Sequence, residues 1–333
     1  MRSKILLPLC VLAVSVSTSF AQLNKYNSFE EMIPRTLKYY HDNQLDSAIL
    51  LAEYAYKTFP AEEEDAITFL GGLYTRNAQY KKATAIWKAG HEKGYCFGLD
   101  NPSYDKYYKE NSNFKELARV ERNWYQNSHI EHEVVLPSGY DKDKSYPLVF
   151  VLHGNSSNMK WAKKSWLSEV MQTEYISVFV QSYAFSNKNK GEYKWKYDDD
   201  KTIKELRNIY ENVTESFPVD TNKIVFSGMS AGGYLALQLA FDELIPMSGL
   251  VVNCPVVPKD ISDKAIENFV AQKKRIGLIT GENDFAIDNQ KRLMEKIDKQ
   301  GGNTKLIINK DKGHEYVEEF SSLLDDYLEW IIE

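Results

Sequence analysis

From about residue 128 onward the chain alternates short, almost unbroken apolar runs with longer amphipathic ones, and that alternation leaves few folds open. Leu148-Val149-Phe150-Val151-Leu152 is the clearest run. A strand that is apolar on both faces must be covered on both, as in a parallel sheet flanked by helices. The same reading predicts strands at 129–136 (here alternating polar and apolar), 147–152, 176–181, 223–227, 248–253, 275–280 and 304–309. Between and after them it predicts helices at 159–172, 200–217, 231–241, 261–271, 287–299 and 317–332. Residues 129–333 are therefore expected to form a doubly wound α/β domain with a mostly parallel sheet. Its ligand should sit beyond the carboxyl ends of the strands.

Before residue 128 the period is helical. Apolar residues recur at three and four through 45–56 and stop at Pro60; a second series runs through Ala66, Phe69, Leu70, Leu73 and Tyr74, and a third through Tyr80, Ala83, Ile86 and Trp87. The units match at an offset of 34 residues, with Tyr40 on Tyr74, Asn43 on Asn77 and Pro60 on Gly94, which is the tetratricopeptide period. Residues 94–117 resemble the degenerate tail of such an array. Two and a half units make a thin array that cannot bury its faces alone. An all-α, TPR-like domain over 22–128 is expected to dock against the rest of the chain or to take a protein partner.

At the N-terminus, Arg2 and Lys4 precede an apolar stretch over 5–16, and Ser19 and Ala21 are placed as the small residues of a cleavage site. The pattern predicts a signal peptide over 1–21 rather than an uncleaved membrane anchor, for which the run is short, so the protein is expected to be exported, to a periplasm or the exterior. The formal charge of −6 argues against a nucleic-acid partner, since a phosphate backbone would find no replacement for its counterions. Past the leader, Cys96 and Cys254 remain, far apart and without CxxC spacing; two unpaired, buried thiols are expected. The six histidines form no HExxH array, and neither metal nor cofactor is expected.

The sharpest motif is Gly228-Met229-Ser230-Ala231-Gly232-Gly233, directly after one predicted strand and opening the next helix. A G-x-S-x-G at such a junction sets the serine on a strained turn with its hydroxyl off the sheet. Gly228 and Gly232 are required where side chains would collide with the neighbouring strand and helix. A nucleophilic serine also needs a base, an orienter for the base, and donors for an oxyanion. His314 is the one histidine C-terminal to Ser230 and lies between the last strand and last helix. For the acid, Asp284 in Gly281-Glu282-Asn283-Asp284 follows the strand at 275–280, with Glu282 and Asp288 as competitors. The strand at 147–152 leads into His153-Gly154-Asn155. The backbone amides of Asn155 and Ala231 are the expected oxyanion donors, with His153 bracing the loop and Gly154 letting its backbone approach.

These pieces, with Leu136-Pro137-Ser138-Gly139-Tyr140, Tyr146-Pro147-Leu148 and Phe217-Pro218-Val219-Asp220, make residues 133–333 resemble the α/β-hydrolase superfamily. The resemblance is to its small lidless esterases: the phospholipase/carboxylesterase, dienelactone-hydrolase and feruloyl-esterase-like proteins. It implies an acyl-enzyme on Ser230 with His314 as base and Asp284 as orienter, acting on carboxylic esters without a cofactor. At Asn155 the chain departs from the G-x-G-type loop usual in the phospholipase/carboxylesterase branch. An irregular stretch at 182–199, carrying Tyr183, Phe185, Tyr193, Trp195 and Tyr197, is a candidate platform for a small-molecule or carbohydrate-linked ester. The rival readings are a prolyl-oligopeptidase-like serine peptidase and a non-catalytic, TPR-type interaction protein.

Overall fold

The computed structural model describes residues 26–108, 111–197 and 199–333; the expected signal peptide lies outside them. The chain divides into two compact units, one of residues 26–91 and 103–117, the other of 92–102 and 118–333. The division expected at 128/129 is therefore displaced. Residues 92–102 and 118–128 belong with the sheet-containing unit, for reasons of hydrogen bonding given below.

The first unit is helical. It comprises α1 (Phe29–His41), α2 (Leu45–Thr58), α3 (Glu63–Arg76), most of α4 (Tyr80–Glu92), α5 (Asp105–Tyr108) and the start of α6 (Ser112–Tyr125). The α1–α2 and α3–α4 turns are built alike. Gln44 N donates to Tyr39 O and Ala48 N to Gln44 O, and the same two bonds recur from Gln79 to Tyr74 and from Ala83 to Gln79. Asn43 (φ 56°) and Ala78 (φ 55°) both take the left-handed conformation that turns one helix into the next. The structural offset is thus 35 residues, one more than the side-chain match suggested. Trp87 is fully buried and meets Phe114 edge to face at 4.7 Å.

The second unit holds a seven-stranded sheet among its described residues, built from β1 (Glu131–Val135), β2 (Tyr146–Leu152), β3 (Ile176–Gln181), β6 (Val219–Met229), β7 (Gly249–Asn253), β8 (Arg275–Gly281) and β9 (Asn303–Asn309). A two-stranded hairpin, β4 (Ala184–Asn187) and β5 (Glu192–Lys194), stands apart. The sheet order is β1-β3-β2-β6-β7-β8-β9, parallel except for β1 against β3. Residues alternate between two cores, as the apolar strands require. Leu148, Phe150 and Leu152 of β2 face the core that takes residues of α9 (Asp200–Ser216), α10 (Ala231–Phe241), α11 (Asp263–Ala271) and α12 (Ile287–Lys299). Val149 and Val151 face the core that takes α7 (Met159–Trp166), α8 (Glu169–Glu174) and α13 (Phe320–Ile332). The predicted single helix at 159–172 is two, because Ser168 caps a new one by accepting from Met171 N at 3.3 Å.

The chain runs from β2 outward to β3 and then returns to the other side of β2 as β6. The crevice at their carboxyl ends is the sheet's switch point. Register makes the alignment concrete, pairing Leu152 with Gly228, Met229 with Asn253, and Gly281 with Asn309. The loops that follow these strands carry residues 153–155, 230, 254, 284 and 314.

Trp87 is buried in the first unit against Phe114, so Trp87→Ala should weaken that unit by about 3–5 kcal/mol. Calorimetry of the variant should show melting that begins at lower temperature than in the native chain; an unchanged melting profile would contradict this.

Candidate active site

Ser230 joins β6 to α10 with φ 52° and ψ −112°, a backbone strained for any residue with a side chain. The turn is held by Ser230 N donating to Asn253 O at 3.0 Å and by Tyr234 N donating to Ser230 O at 2.9 Å. A Cβ at Gly228 would collide with the backbone of Gly232, and one at Gly232 with the carbonyls of Leu152 and His153. Both glycines are therefore sterically obligatory, as the motif suggested. Gly154 is not: a Cβ there would sit at an ordinary 3.7 Å from Ser230 Cβ. The first amides of α10, Ala231 N among them, have no intrahelical partner one turn back and favour negative charge.

Asp284 lies between β8 and α12 with its side chain wholly buried. Its Oδ1 accepts from Ala286 N at 2.7 Å and its Oδ2 faces His314 Nδ1 at 2.9 Å. Burial alone would raise the Asp284 carboxyl. The hydrogen bonds from His314, Ala286 and the Cys254 thiol outweigh it and hold the group below the usual carboxylate range, so it is ionised at neutral pH. An ionised carboxylate at Nδ1 fixes the proton there and leaves Nε2 of His314 as the basic nitrogen. Phe285 covers the imidazole at 4.6 Å. Of the rival acids, Glu282 instead accepts from Asp311 N at 3.2 Å, and Asp288 lies in the first turn of α12.

Ser230 and His314 line one cleft of about 470 Å³, together with the 154–157 loop, Trp161 and Glu192. Among the described residues of 182–199, none of the aromatics that made it a candidate platform lines the cleft. Tyr183 and Trp195 are buried, Phe185 lies against Tyr193, and Tyr197 lies against Tyr234. Tyr183 and Trp195 belong to a buried cluster against which Phe185 and Tyr197 pack; of that stretch Glu192 reaches the cleft, and the open aromatic of the cleft is Trp161 of α7, 60% exposed.

Cys254 is one of the two thiols expected to be unpaired and buried. It is buried and free, and it also borders Asp284 and the backbone beside His314. Its sulfur lies 3.5 Å from Glu315 O and 3.8 Å from Gly313 O, the neighbours of His314, and within 4.8 Å of an Asp284 carboxylate oxygen. Burial, then the Asp284 charge, push the thiol up to about 12, so it stays protonated and donates. Cys254, Asp284 and His314 offer ligand atoms within 4.8 Å of one another, a set that could in principle hold a metal. The protonated thiol makes it a poor one. The signal that could have marked Cys254 is its place immediately after a predicted strand.

His153 is fully buried. Nδ1–H donates to Gly154 O at 2.7 Å, Nε2 accepts from Ser182 N at 3.1 Å, and the ring stacks on Trp195 at 4.9 Å. Both nitrogens are committed, which makes it a brace for the loop. Burial pushes its pKa down to about 4 from 6.5. Below pH 6.5 the unfolded chain binds a proton there that the folded chain refuses. This contribution to stability, up to about 3 kcal/mol, is complete above pH 6.5 and is lost as pH falls towards 4. Melting temperatures across that range should fall more steeply for the native chain than for His153→Gln.

Residues 125–244 match the Esterase family model, described as "Putative esterase". No curated protein matches the chain. Among solved structures, an uncharacterized protein from Bacillus cereus ATCC 10987 is similar, at 18% identity and a TM-score of 0.52, over 91% of this chain and 98% of that one. A ferulic acid esterase is similar at 17% identity and a TM-score of 0.51, over 61% of this chain and 92% of that one. At such identities these likenesses concern the fold. The match over 125–244 supports a carboxylic-ester hydrolase, and the solved structures share the α/β fold of the sheet-containing unit.

Proposed function

We propose that the protein is an exported serine hydrolase that cleaves carboxylic esters through an acyl-enzyme on Ser230. The observation that carries this reading is the 2.9 Å contact between the buried Asp284 carboxylate and His314 Nδ1, with His314 and the strained Ser230 opening on one cleft. In the proposed cycle His314 Nε2 takes the Ser230 proton as Oγ bonds to the ester carbonyl carbon. The carbonyl π pair moves onto its oxygen, received by the amides of Ala231 and Asn155. When the tetrahedral species collapses, the C–O bond to the alcohol breaks and His314 returns the proton to the leaving oxygen. Water repeats the sequence and releases the acid. Asp284 stabilises the imidazolium throughout without itself taking the proton.

The open ring of Trp161 beside Ser156, Ser157 and Glu192 suits a small, hydroxylated, carbohydrate-linked ester better than a long acyl chain. Export rests on the leader at 1–21, and a protein partner for the helical unit rests on its TPR-like repeat.

On a p-nitrophenyl acetate and butyrate series, Ser230→Ala and His314→Ala should each lower kcat by about 10⁴–10⁶ with intact folding. A fluorophosphonate should label the native chain and not Ser230→Ala; hydrolysis that survives both substitutions would refute the assignment. Cys254→Ala removes a donor worth on the order of 1 kcal/mol, so kcat should fall about 5-fold at unchanged KM, with Cys254→Ser recovering most of it.

A further inference from the structure

The loop that carries Asn155 is the edge of a ladder that begins outside the α/β sheet. On one side, β5 borders this loop: Tyr193 N donates to Ser157 O at 2.8 Å in an antiparallel bridge, and Trp195 N donates to Asn155 Oδ1 at 3.1 Å. The Trp195 indole adds Nε1–H to His153 O at 2.7 Å while stacking on the His153 ring. On its other side β5 pairs with β4. The free edge of β4 is then paired by residues 94–96: Cys96 N donates to Ser186 O and Lys188 N to Gly94 O, both at 2.8 Å, with Tyr95 bridged to Asn187.

The far end of this ladder is fixed by charge. Glu121, wholly buried, accepts Phe97 N on one carboxylate oxygen and Leu99 N on the other, each at 2.7 Å. Lys196 Nζ reaches from beyond Trp195 to Asp100 Oδ2 at 2.7 Å and Tyr125 OH at 2.6 Å, and Lys194 Nζ donates to Cys96 O at 2.6 Å. Charge-assisted bonds of this kind are short and directional. They hold two consecutive extended segments in register although neither is long enough to hold itself.

We propose that Glu121 and Trp195 are positioning residues, through which the Glu92–Pro102 segment and the β4–β5 hairpin hold the 153–157 loop in place as an oxyanion-binding backbone. This rests on the reading of Asn155 N as an oxyanion donor. The physical need is specific. An oxyanion donor acts through an amide set within tenths of an ångström of where charge develops. The 153–157 loop projects past the end of β2, where the sheet no longer pairs it, and Ser156 is itself left-handed at φ 53°. The hairpin supplies the missing partner strand. Glu121 does not line the cleft, so any effect it has on turnover must pass along the ladder.

The test compares Trp195→Phe, which keeps a ring on His153 and deletes the Nε1–H donor, with Glu121→Gln, which turns one acceptor oxygen into a donor facing a backbone N–H. Amide hydrogen exchange of 153–158 should quicken about 10-fold in both, with β6 and α10 unchanged. On p-nitrophenyl butyrate kcat should fall about 10-fold at constant KM and with the pH dependence of the native chain. Should Glu121→Gln fail to fold, Trp195→Phe decides alone. Native exchange at 153–158 in the folded variants would overturn the proposal, as would a uniform rise across the second unit, which would make these residues general supports. The exchange readout does not depend on turnover. If the native chain lacks Ser230-dependent hydrolysis, the catalytic reading and with it the oxyanion role fall, whatever the exchange shows; if hydrolysis stands and exchange does not respond, only the ladder falls.

Discussion

The contact on which the site depends is steric: α10 begins so close to β2 that the backbone of Gly232 touches the carbonyls of Leu152 and His153. Nothing larger than hydrogen fits there. That closeness allows β6 to reverse into a helix within one residue and leaves Ser230 at φ 52° with its amide bonded to Asn253 O. The strain is tolerated because both flanks are over-determined, by a parallel ladder on one side and a buried helix on the other. The helix is apolar almost all round, and nearly every residue from Ala231 to Phe241 is buried. It cannot tilt to relieve the turn.

Around that fixed point the electrostatics are arranged by burial and donors. Asp284 would be raised by its surroundings if it stood alone; three donors, from His314, Ala286 and Cys254, reverse the sign. Residues 253 and 254 tie the three chemistry-bearing loops together. Asn253 O receives the amide of Ser230, Asn253 Nδ2 donates to Glu315 O at 3.3 Å, and the Cys254 thiol lies beside the Asp284 carboxylate. One dipeptide at the end of β7 thus touches the turn of the serine, the acid, and the backbone beside the histidine.

Much of this was legible in the chain. Strands apolar on both faces, such as 148–152, announce a covered parallel sheet because no other setting removes both faces from water. Ser230 was legible because glycines at 228 and 232 carry a steric meaning, and Asp284 because strand order places it. What escaped detection was short or tertiary. The strands of the β4–β5 hairpin span four and three residues, too few for any period, and their aromatics resemble a ligand platform although Trp195 and Tyr183 are buried. The helical offset of 34 became 35 because the equivalence resides in turn hydrogen bonds, which side-chain matching does not register. Glu121 looks like any solvated helical charge; that it satisfies two distant amides follows from the fold alone.

The chain leaves its helical unit after His91, spends residues 92–102 in the other, returns for 103–117 and leaves again. No single backbone cut therefore separates the two with both whole. Truncation before 129 would strip the hairpin of its outer strand and of Glu121, while a fragment ending near 91 would lack Phe114, the ring against Trp87. The halves are interleaved in sequence, and neither is a detachable module.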